Sequence, residues 1–197
     1  MLSLLSEEEI IQQAVARARL IDDTFMSAVF QDLECTQVLV DHLIPEVGFV
    51  VQSVQTQLSL QNLHGRSVRL DIVALDRNGR YCNIEIQRGA EGASPRRARY
   101  NNAILDMNVS EAGEEYDQLG DTYTIFLSEH DVLKTGLPLV HIDRVVRETG
   151  ELFADGSHIL YVDTTNRERC ARCEGGRLPR ARPSLVRAWR QSYAACR

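Results

Sequence analysis

The sequence is consistent with an α/β fold, because segments with helical and with strand character are interspersed along its 197 residues. Runs rich in β-branched and aromatic residues predict strands at positions 49–60, 68–75, 81–86, 123–127 and 158–162. Helical periodicity predicts helices at positions 6–19, 22–32, 36–44 and 95–109. Positions 139–146 are compatible with either a strand or a loop. The length and a hydrophobic fraction of 44% favour one well-packed domain.

The ends of the predicted helices carry recognisable signals. Ser6 and Glu9 form a capping box at the start of the first helix. Pro45 ends the third helix, and Pro95 suits the first turn of the last one, where a missing N–H costs nothing. Asp22 suits the N-cap of the second helix.

A β-hairpin is the most informative feature of the chain. The runs 68–75 and 81–86 flank the Asn78-Gly79 step, which supplies the positive φ that a tight reversal needs. If position 75 pairs with position 81, Asp71 lies directly opposite Glu85, with their Cβ atoms about 5 Å apart. Alternation places Gln87 on the same face. Two carboxylates in this arrangement repel unless a cation lies between them, and Mg²⁺ prefers such ligands.

A solvated polar face is the simpler explanation of this pattern, since hairpins often expose one side to water. The neighbours of the carboxylates argue against it. Asp71 lies between Leu70 and Ile72, and Glu85 follows the same apolar pattern in the second strand. Because aspartate is depleted in strands, an acid inside each of two apolar strands indicates that each has a partner.

The chain resembles the PD-(D/E)XK nuclease superfamily at these residues, and more narrowly the PD-(D/E)XK nuclease family transposases, which are related to the Rpn recombination-promoting nucleases. The resemblance covers about residues 18 to 166 and rests on an ordered series of motifs. These are Asp22-Asp-Thr-Phe25, Arg69-Leu-Asp-Ile72, Asn83-Ile-Glu-Ile-Gln87, Arg96-Arg-Ala-Arg-Tyr100, Tyr123-Thr-Ile-Phe126, Glu129-His-Asp-Val-Leu133 and Asp155-Gly-Ser-His-Ile-Leu-Tyr-Val162.

The resemblance implies a restriction-endonuclease-like core, in which a central mixed sheet of about five strands is flanked by helices. It also implies a Mg-dependent endodeoxyribonuclease of the mobile-element or recombination-promoting type, using Mg²⁺ or alternatively Mn²⁺. Asp71, Glu85 and the carbonyl of Ile86 would hold the ion, and Asp22 would complete the acidic cluster. Capping of the second helix is an equally good explanation of Asp22.

Two departures from the family pattern leave a second function open. Gln87 stands where the superfamily usually has lysine, and an amide can orient a water molecule but cannot act as a base near neutral pH. Met26 stands where a basic residue is typical. The alternative is therefore a catalytically inactive module that keeps the fold and binds nucleic acid or protein. The third interpretation is a small ligand-binding or regulatory domain in which the acidic side chains are only solvated.

Arginines crowd the start of the predicted helix at 95–109. Arg96, Arg97 and Arg99 lie where cations oppose the helix macrodipole, so an anion is expected to offset them. A DNA phosphate or Glu85 would serve, and a solvated basic helix start is the alternative. We therefore predict a DNA contact at these three residues.

The overall charge of −6 does not by itself suggest a nucleic-acid partner, because DNA affinity comes largely from lysine and arginine. The distribution is uneven. Residues 167–197 contain nine arginines and two acidic residues, and they lack apolar periodicity. We therefore divide the chain into a nuclease-like domain at 1–166 and an Arg-rich tail at 167–197, whose sequence is divergent or frame-shifted.

Several properties point to a cytoplasmic protein that does not enter a membrane. No apolar run approaches the roughly 20 residues that a transmembrane helix needs, and the first residues lack the basic segment of a signal peptide. Five cysteines without regular spacing favour free thiols in a reducing compartment. DNA is the expected partner, and a homodimer is left open.

Overall fold

The structure is a computed structural model that describes residues 28–62, 65–110, 113 and 115–166. Asp22, Met26, the predicted helix at 6–19 and the tail at 167–197 lie outside the described residues. The helices that lie wholly within the described residues are α1 (Leu33–Leu43) and α2 (Pro95–Val109), with single 3₁₀ turns at Pro45–Val47, Ala90–Ala93 and Tyr116–Gln118. The strands are β1 (Val51–Leu60), β2 (Val68–Asp76), β3 (Tyr81–Gln87), β4 (Thr122–Ser128), β5 (Leu139–Ile142) and β6 (Ser157–Asp163).

The six strands form one mixed sheet in the order β1-β2-β3-β4-β6-β5. Strands β1, β2 and β3 are antiparallel neighbours, whereas β3, β4 and β6 run parallel and β5 is antiparallel to β6. The α/β prediction is confirmed. The sheet has six strands instead of about five because the ambiguous segment at 139–146 contributes β5, a four-residue edge strand.

Helices cover the sheet on both faces. On one face, α1 packs Leu39, Val40 and Leu43 against β2, β3 and β4. On the other face, α2 packs Ile104 and Leu105 against β1 and β2. No helix within the described ranges is both long enough and apolar enough to cross a bilayer.

Side-chain caps mark the N-terminal ends of both helices. The Asp32 side chain caps α1 by accepting a hydrogen bond from the Cys35 N–H at 2.9 Å. The Ser94 hydroxyl caps α2 by accepting from the Arg97 N–H at 3.3 Å, and Pro95 occupies the first helical position. These caps fix where α2 begins, and therefore where its first arginines lie relative to the sheet.

The alternation of β2 departs from the prediction at one place. The sequence suggests that Leu70 and Ile72 share a face, but Leu70 packs with α2 whereas Ile72 packs on the α1 side. The break falls at Asp71. In β1 the residue that falls opposite Asp71 is Gln57, whose φ of 56° is left-handed. A local twist at this position explains why a strict period of two does not continue through Asp71.

Candidate active site

The β2–β3 hairpin has the register that the sequence predicts. Leu75 pairs with Tyr81, and the pairing continues to Ile72 opposite Ile84. Gly79 in the turn has a φ of 78°, a conformation that glycine adopts without strain. The paired ladder ends just before Asp71 and Glu85, so these two residues lie where the strands stop exchanging backbone hydrogen bonds.

Asp71 and Glu85 reach toward each other across this gap. The Ile86 N–H donates to Oδ2 of Asp71 at 2.9 Å. The Asp71 N–H donates to Oε1 of Glu85 at 3.4 Å, which is a long hydrogen bond. Each carboxylate therefore touches the backbone of the opposite strand, and the two predicted metal ligands lie close together.

Burial makes Glu85 an unusual carboxylic acid. Its side chain is fully buried, with an exposed fraction of 0%. Burial and then the charge of Asp71 raise the pKa of Glu85 from 4.5 to about 7, while Arg97 acts in the opposite direction. A buried acid beside a second acid is an environment that stabilises a bound cation or a proton.

Arg97 provides the cation that faces Glu85. Its Nη2 lies 3.1 Å from Oε2 of Glu85, and its Nη1 donates to the carbonyl oxygen of Gly92 at 2.9 Å. The sequence predicted that either a DNA phosphate or Glu85 would neutralise the arginines at the start of α2. The structure places that pairing at Arg97.

A family model for the PD-(D/E)XK nuclease family transposases matches residues 47–171, which includes the whole hairpin, α2 and strands β4 to β6. The chain belongs to this family. Family membership indicates a nuclease-type function with nucleic acid as the substrate, and nucleases of this type generally use divalent metals. Comparisons with curated proteins and with solved structures found no match.

The residues present fit the divalent ion that the family implies. Asp71 and Glu85 supply hard oxygen donors, and burial together with the charge of Asp71 raises the pKa of Glu85, so that a cation between the two acids would stabilise the ionised form. Within the described part of the chain, no group of three or more His, Cys, Asp or Glu side chains could hold a metal. The protein would therefore contribute two carboxylates here, and the remaining ligands would be water or phosphate oxygens, as Mg²⁺ prefers.

Gln87, at the position where the superfamily usually has lysine, lies against the turn that follows β3. A Cβ atom built on Gly92 would come within 1.9 Å of Oε1 of Gln87. Gly92 does not have a positive φ, so glycine is needed here for space and not for backbone conformation. The same Cβ position lies 3.5 Å from Nη1 of Arg97, which places the amide of Gln87 near that guanidinium.

The remaining predicted site residues are two exposed arginines, one residue outside the described ranges and one residue known here by its backbone. Arg96 and Arg99 are exposed and form no ion pair or hydrogen bond within the described residues. Asp22 lies outside those residues, so its place in the acidic cluster stays a prediction. Ile86 contributes its N–H to Asp71, and the metal role of its carbonyl also stays a prediction.

Sequence reasoning missed Asn83 and Gly92, which shape the surroundings of Glu85 and Gln87. Asn83 is fully buried, and neither polar atom of its side chain has a hydrogen bond of normal geometry. It nevertheless lies close enough to Glu85 to lower the pKa of that carboxyl. Its spacing of two residues from Glu85 on a strand was the available signal, because asparagine is depleted in strands.

Proposed function

We propose that the protein is a metal-dependent DNA endonuclease of the mobile-element or recombination-promoting type. The observation that carries this proposal is the close approach of Asp71 to the buried side chain of Glu85, where the paired residues of β2 and β3 end. Like charges in this position are stabilised by a cation, and the family makes a divalent metal the natural one. The structure supports the proposal through the geometry of this pair.

The reaction would be hydrolysis of a phosphodiester, in which water adds to phosphorus and one P–O bond breaks, leaving a phosphomonoester and a hydroxyl. A bound divalent ion would polarise the phosphate and lower the pKa of water. Asp71 and Glu85 would hold that ion, together with the Ile86 carbonyl and Asp22. Gln87 would orient water by hydrogen bonding, since an amide does not titrate near neutral pH and cannot act as a base.

Cleavage of supercoiled plasmid tests the proposal directly. Purified protein with Mg²⁺ or Mn²⁺ should convert supercoiled DNA to nicked and linear forms, and addition of EDTA should stop the conversion. The matched control is Asp71→Asn, prepared in the same way to exclude a contaminating nuclease. Absence of cleavage with both metals, on linear and supercoiled substrates alike, contradicts the proposal.

An inactive nucleic-acid-binding module is the second candidate, and one observation favours it. Glu85 already has a cation in Arg97, and Gln87 at the lysine position carries no charge. Such a module would retard DNA on a gel equally with and without metal, and would leave plasmid intact. Metal-stimulated nicking that disappears with Asp71→Asn distinguishes the endonuclease from this module.

The two exposed arginines of α2 should bind DNA phosphates. Each arginine–phosphate contact contributes about 0.9 to the slope of log K against log salt on duplex DNA. We therefore expect Arg96→Ala combined with Arg99→Ala to reduce that slope by roughly 2. Arg66→Ala, an exposed arginine before β2, serves as the control. An unchanged slope in the double variant would show that both side chains belong to a solvated helix face.

A small change at Gly92 should test the role of Gln87 without removing its amide. In Gly92→Ala the new methyl group would displace Oε1 of Gln87, the mobile end of a flexible side chain, so the fold should survive. We expect cleavage to fall about 2- to 10-fold, which corresponds to the loss of one hydrogen bond. Gly89→Ala is the matched control, because a Cβ there meets nothing within 4 Å and the φ of −97° suits alanine. Equal cleavage rates for Gly92→Ala and Gly89→Ala would show that Gln87 has no role in the reaction.

A further inference from the structure

We infer that Arg97 is a positioning residue for Glu85 and does not contact DNA as its neighbours Arg96 and Arg99 do. The inference rests on the proposed function, because it assigns a task at the same metal site. Arg97 would hold one oxygen of the Glu85 carboxylate so that the other faces Asp71, where an ion would be shared. The three arginines of one helical turn would therefore have two different tasks.

The contacts of Glu85 divide its two carboxylate oxygens. Oε2 faces Arg97, with Nη2 at 3.1 Å, and Oε1 faces Asp71, whose N–H is 3.4 Å away. One oxygen of the Glu85 carboxylate is therefore paired with Arg97, and the other oxygen faces Asp71. Hydrogen bonds to the far side of a ligating carboxylate orient it and tune its affinity for metal.

The guanidinium of Arg97 is itself fixed on a second side. Nη1 donates to the Gly92 carbonyl at 2.9 Å, so the planar group is fastened both to the Ala90–Ala93 turn and to Glu85. Lysine cannot reproduce such a two-pronged contact with one ammonium. The cap of Ser94 on the Arg97 N–H fixes the start of α2 and hence the origin of the side chain.

Exposure separates Arg97 from its neighbours. Its side chain is 39% exposed and has both terminal nitrogens occupied, whereas Arg96 and Arg99 are exposed without a partner in the described residues. A cation in the first turn of a helix opposes the macrodipole. The buried charge of Glu85 offsets this at Arg97, so no DNA phosphate is needed to explain its position.

Titration of the DNA-free protein with Mn²⁺ tests the inference. Calorimetry at one mildly alkaline pH measures the Mn²⁺ affinity of each variant. Arg97→Met, which keeps much of the apolar stem, should weaken Mn²⁺ binding about 10- to 100-fold, the usual effect of removing a partner of a metal ligand. Arg97→Lys should recover part of the loss, because it restores the charge without the second contact. The control Arg96→Met should bind Mn²⁺ as the wild type does. Equal or tighter binding by Arg97→Met overturns the inference.

Salt dependence of DNA binding in metal-free buffer gives an independent readout. Arg96→Met should reduce the slope of log K against log salt by about 0.9, the contribution of one phosphate contact. Arg97→Met should leave the slope unchanged. A reduction of about 0.9 for Arg97→Met would show that Arg97 binds a phosphate, contrary to the inference. If Arg97→Met does not fold, Arg97→Lys decides, because wild-type Mn²⁺ affinity in that variant would show that the two-pronged contact has no positioning role.

The two hypotheses fail in different ways. If the wild-type protein binds no Mn²⁺ and cleaves no plasmid, the proposed function fails and the inference fails with it. If the wild type binds Mn²⁺ and Arg97→Met binds it equally well, the metal site stands and only the task of Arg97 is wrong.

Discussion

Asp71→Asn should abolish DNA cleavage and leave the melting temperature of the metal-free protein unchanged or higher. The amide removes one of two negative charges that lie together on the hairpin, so metal affinity falls. In the metal-free protein the same change removes like-charge repulsion, since the charge of Asp71 is one of the causes that raise the pKa of Glu85. Activity and stability are therefore expected to move in opposite directions or independently.

The choice of asparagine follows from the backbone contact of Asp71. Its Oδ2 accepts the Ile86 N–H at 2.9 Å in a place where the strands no longer pair. Asparagine keeps an acceptor oxygen for that N–H, whereas alanine leaves it without one. A buried donor without an acceptor costs about 1–3 kcal/mol, so Asp71→Ala should be less stable than Asp71→Asn by about this amount.

Plasmid nicking, calorimetric Mn²⁺ titration and thermal unfolding of the three proteins provide the measurements. If a well-folded Asp71→Asn variant cleaves DNA at the wild-type rate, Asp71 is not a ligand of the metal. A large fall in melting temperature for Asp71→Asn would instead mark the charge as part of the fold. Equal stability of the asparagine and alanine variants would show that the Ile86 hydrogen bond contributes little.

The hairpin was predictable because its determinants are local. Turn chemistry at Asn78-Gly79 sets the pairing of Leu75 with Tyr81, and a period of two then carries the register as far as Ile72 opposite Ile84. Extending that register by one position brings Asp71 opposite Glu85. The departure at Leu70 does not follow from the register, because it depends on a twist that involves Gln57 of the neighbouring strand.

The surroundings of Glu85 depend on packing between elements that are separate in sequence. The choice of Arg97 over Arg96 or Arg99 requires the rotation of α2 over the sheet, which the spacing of arginines does not contain. The need for glycine at position 92 arises from a side chain five residues earlier that folds back on the turn.

Glu85→Gln should make the metal-free protein more stable than the wild type at about pH 8 and equally stable near pH 4.5, while eliminating metal binding at every pH. Folding raises the pKa of Glu85 from 4.5 to about 7. Between these values the folded protein keeps a proton that the unfolded chain has lost. The contribution of Glu85 to stability is therefore fully present below about pH 4.5 and is lost as pH rises through about 7.

The change in the free energy of unfolding with pH that Glu85 can cause has an upper bound. One proton bound only by the folded state changes the free energy of unfolding by about 1.4 kcal/mol per pH unit. A neutral amide at position 85 has no such dependence, so the difference between variant and wild type should grow across that interval. Arg97 loses its partner in the variant, but its side chain is 39% exposed and water can solvate it.

Urea unfolding at a series of pH values, with and without Mn²⁺, measures both halves of the prediction. Mn²⁺ should raise the stability of the wild type at about pH 8, since a ligand that binds only the folded state stabilises it, and should leave Glu85→Gln unchanged. A variant that is less stable than the wild type at about pH 8 would show that the Arg97 ion pair outweighs the burial of the Glu85 charge. A constant difference across the pH range would show that the pKa of Glu85 is not raised in the folded protein. Because Mn²⁺ would release the Glu85 proton, its apparent affinity should fall as pH decreases below about 7. The charge that is expected to lower the stability of the metal-free protein at about pH 8 is therefore the charge that the proposed metal would bind.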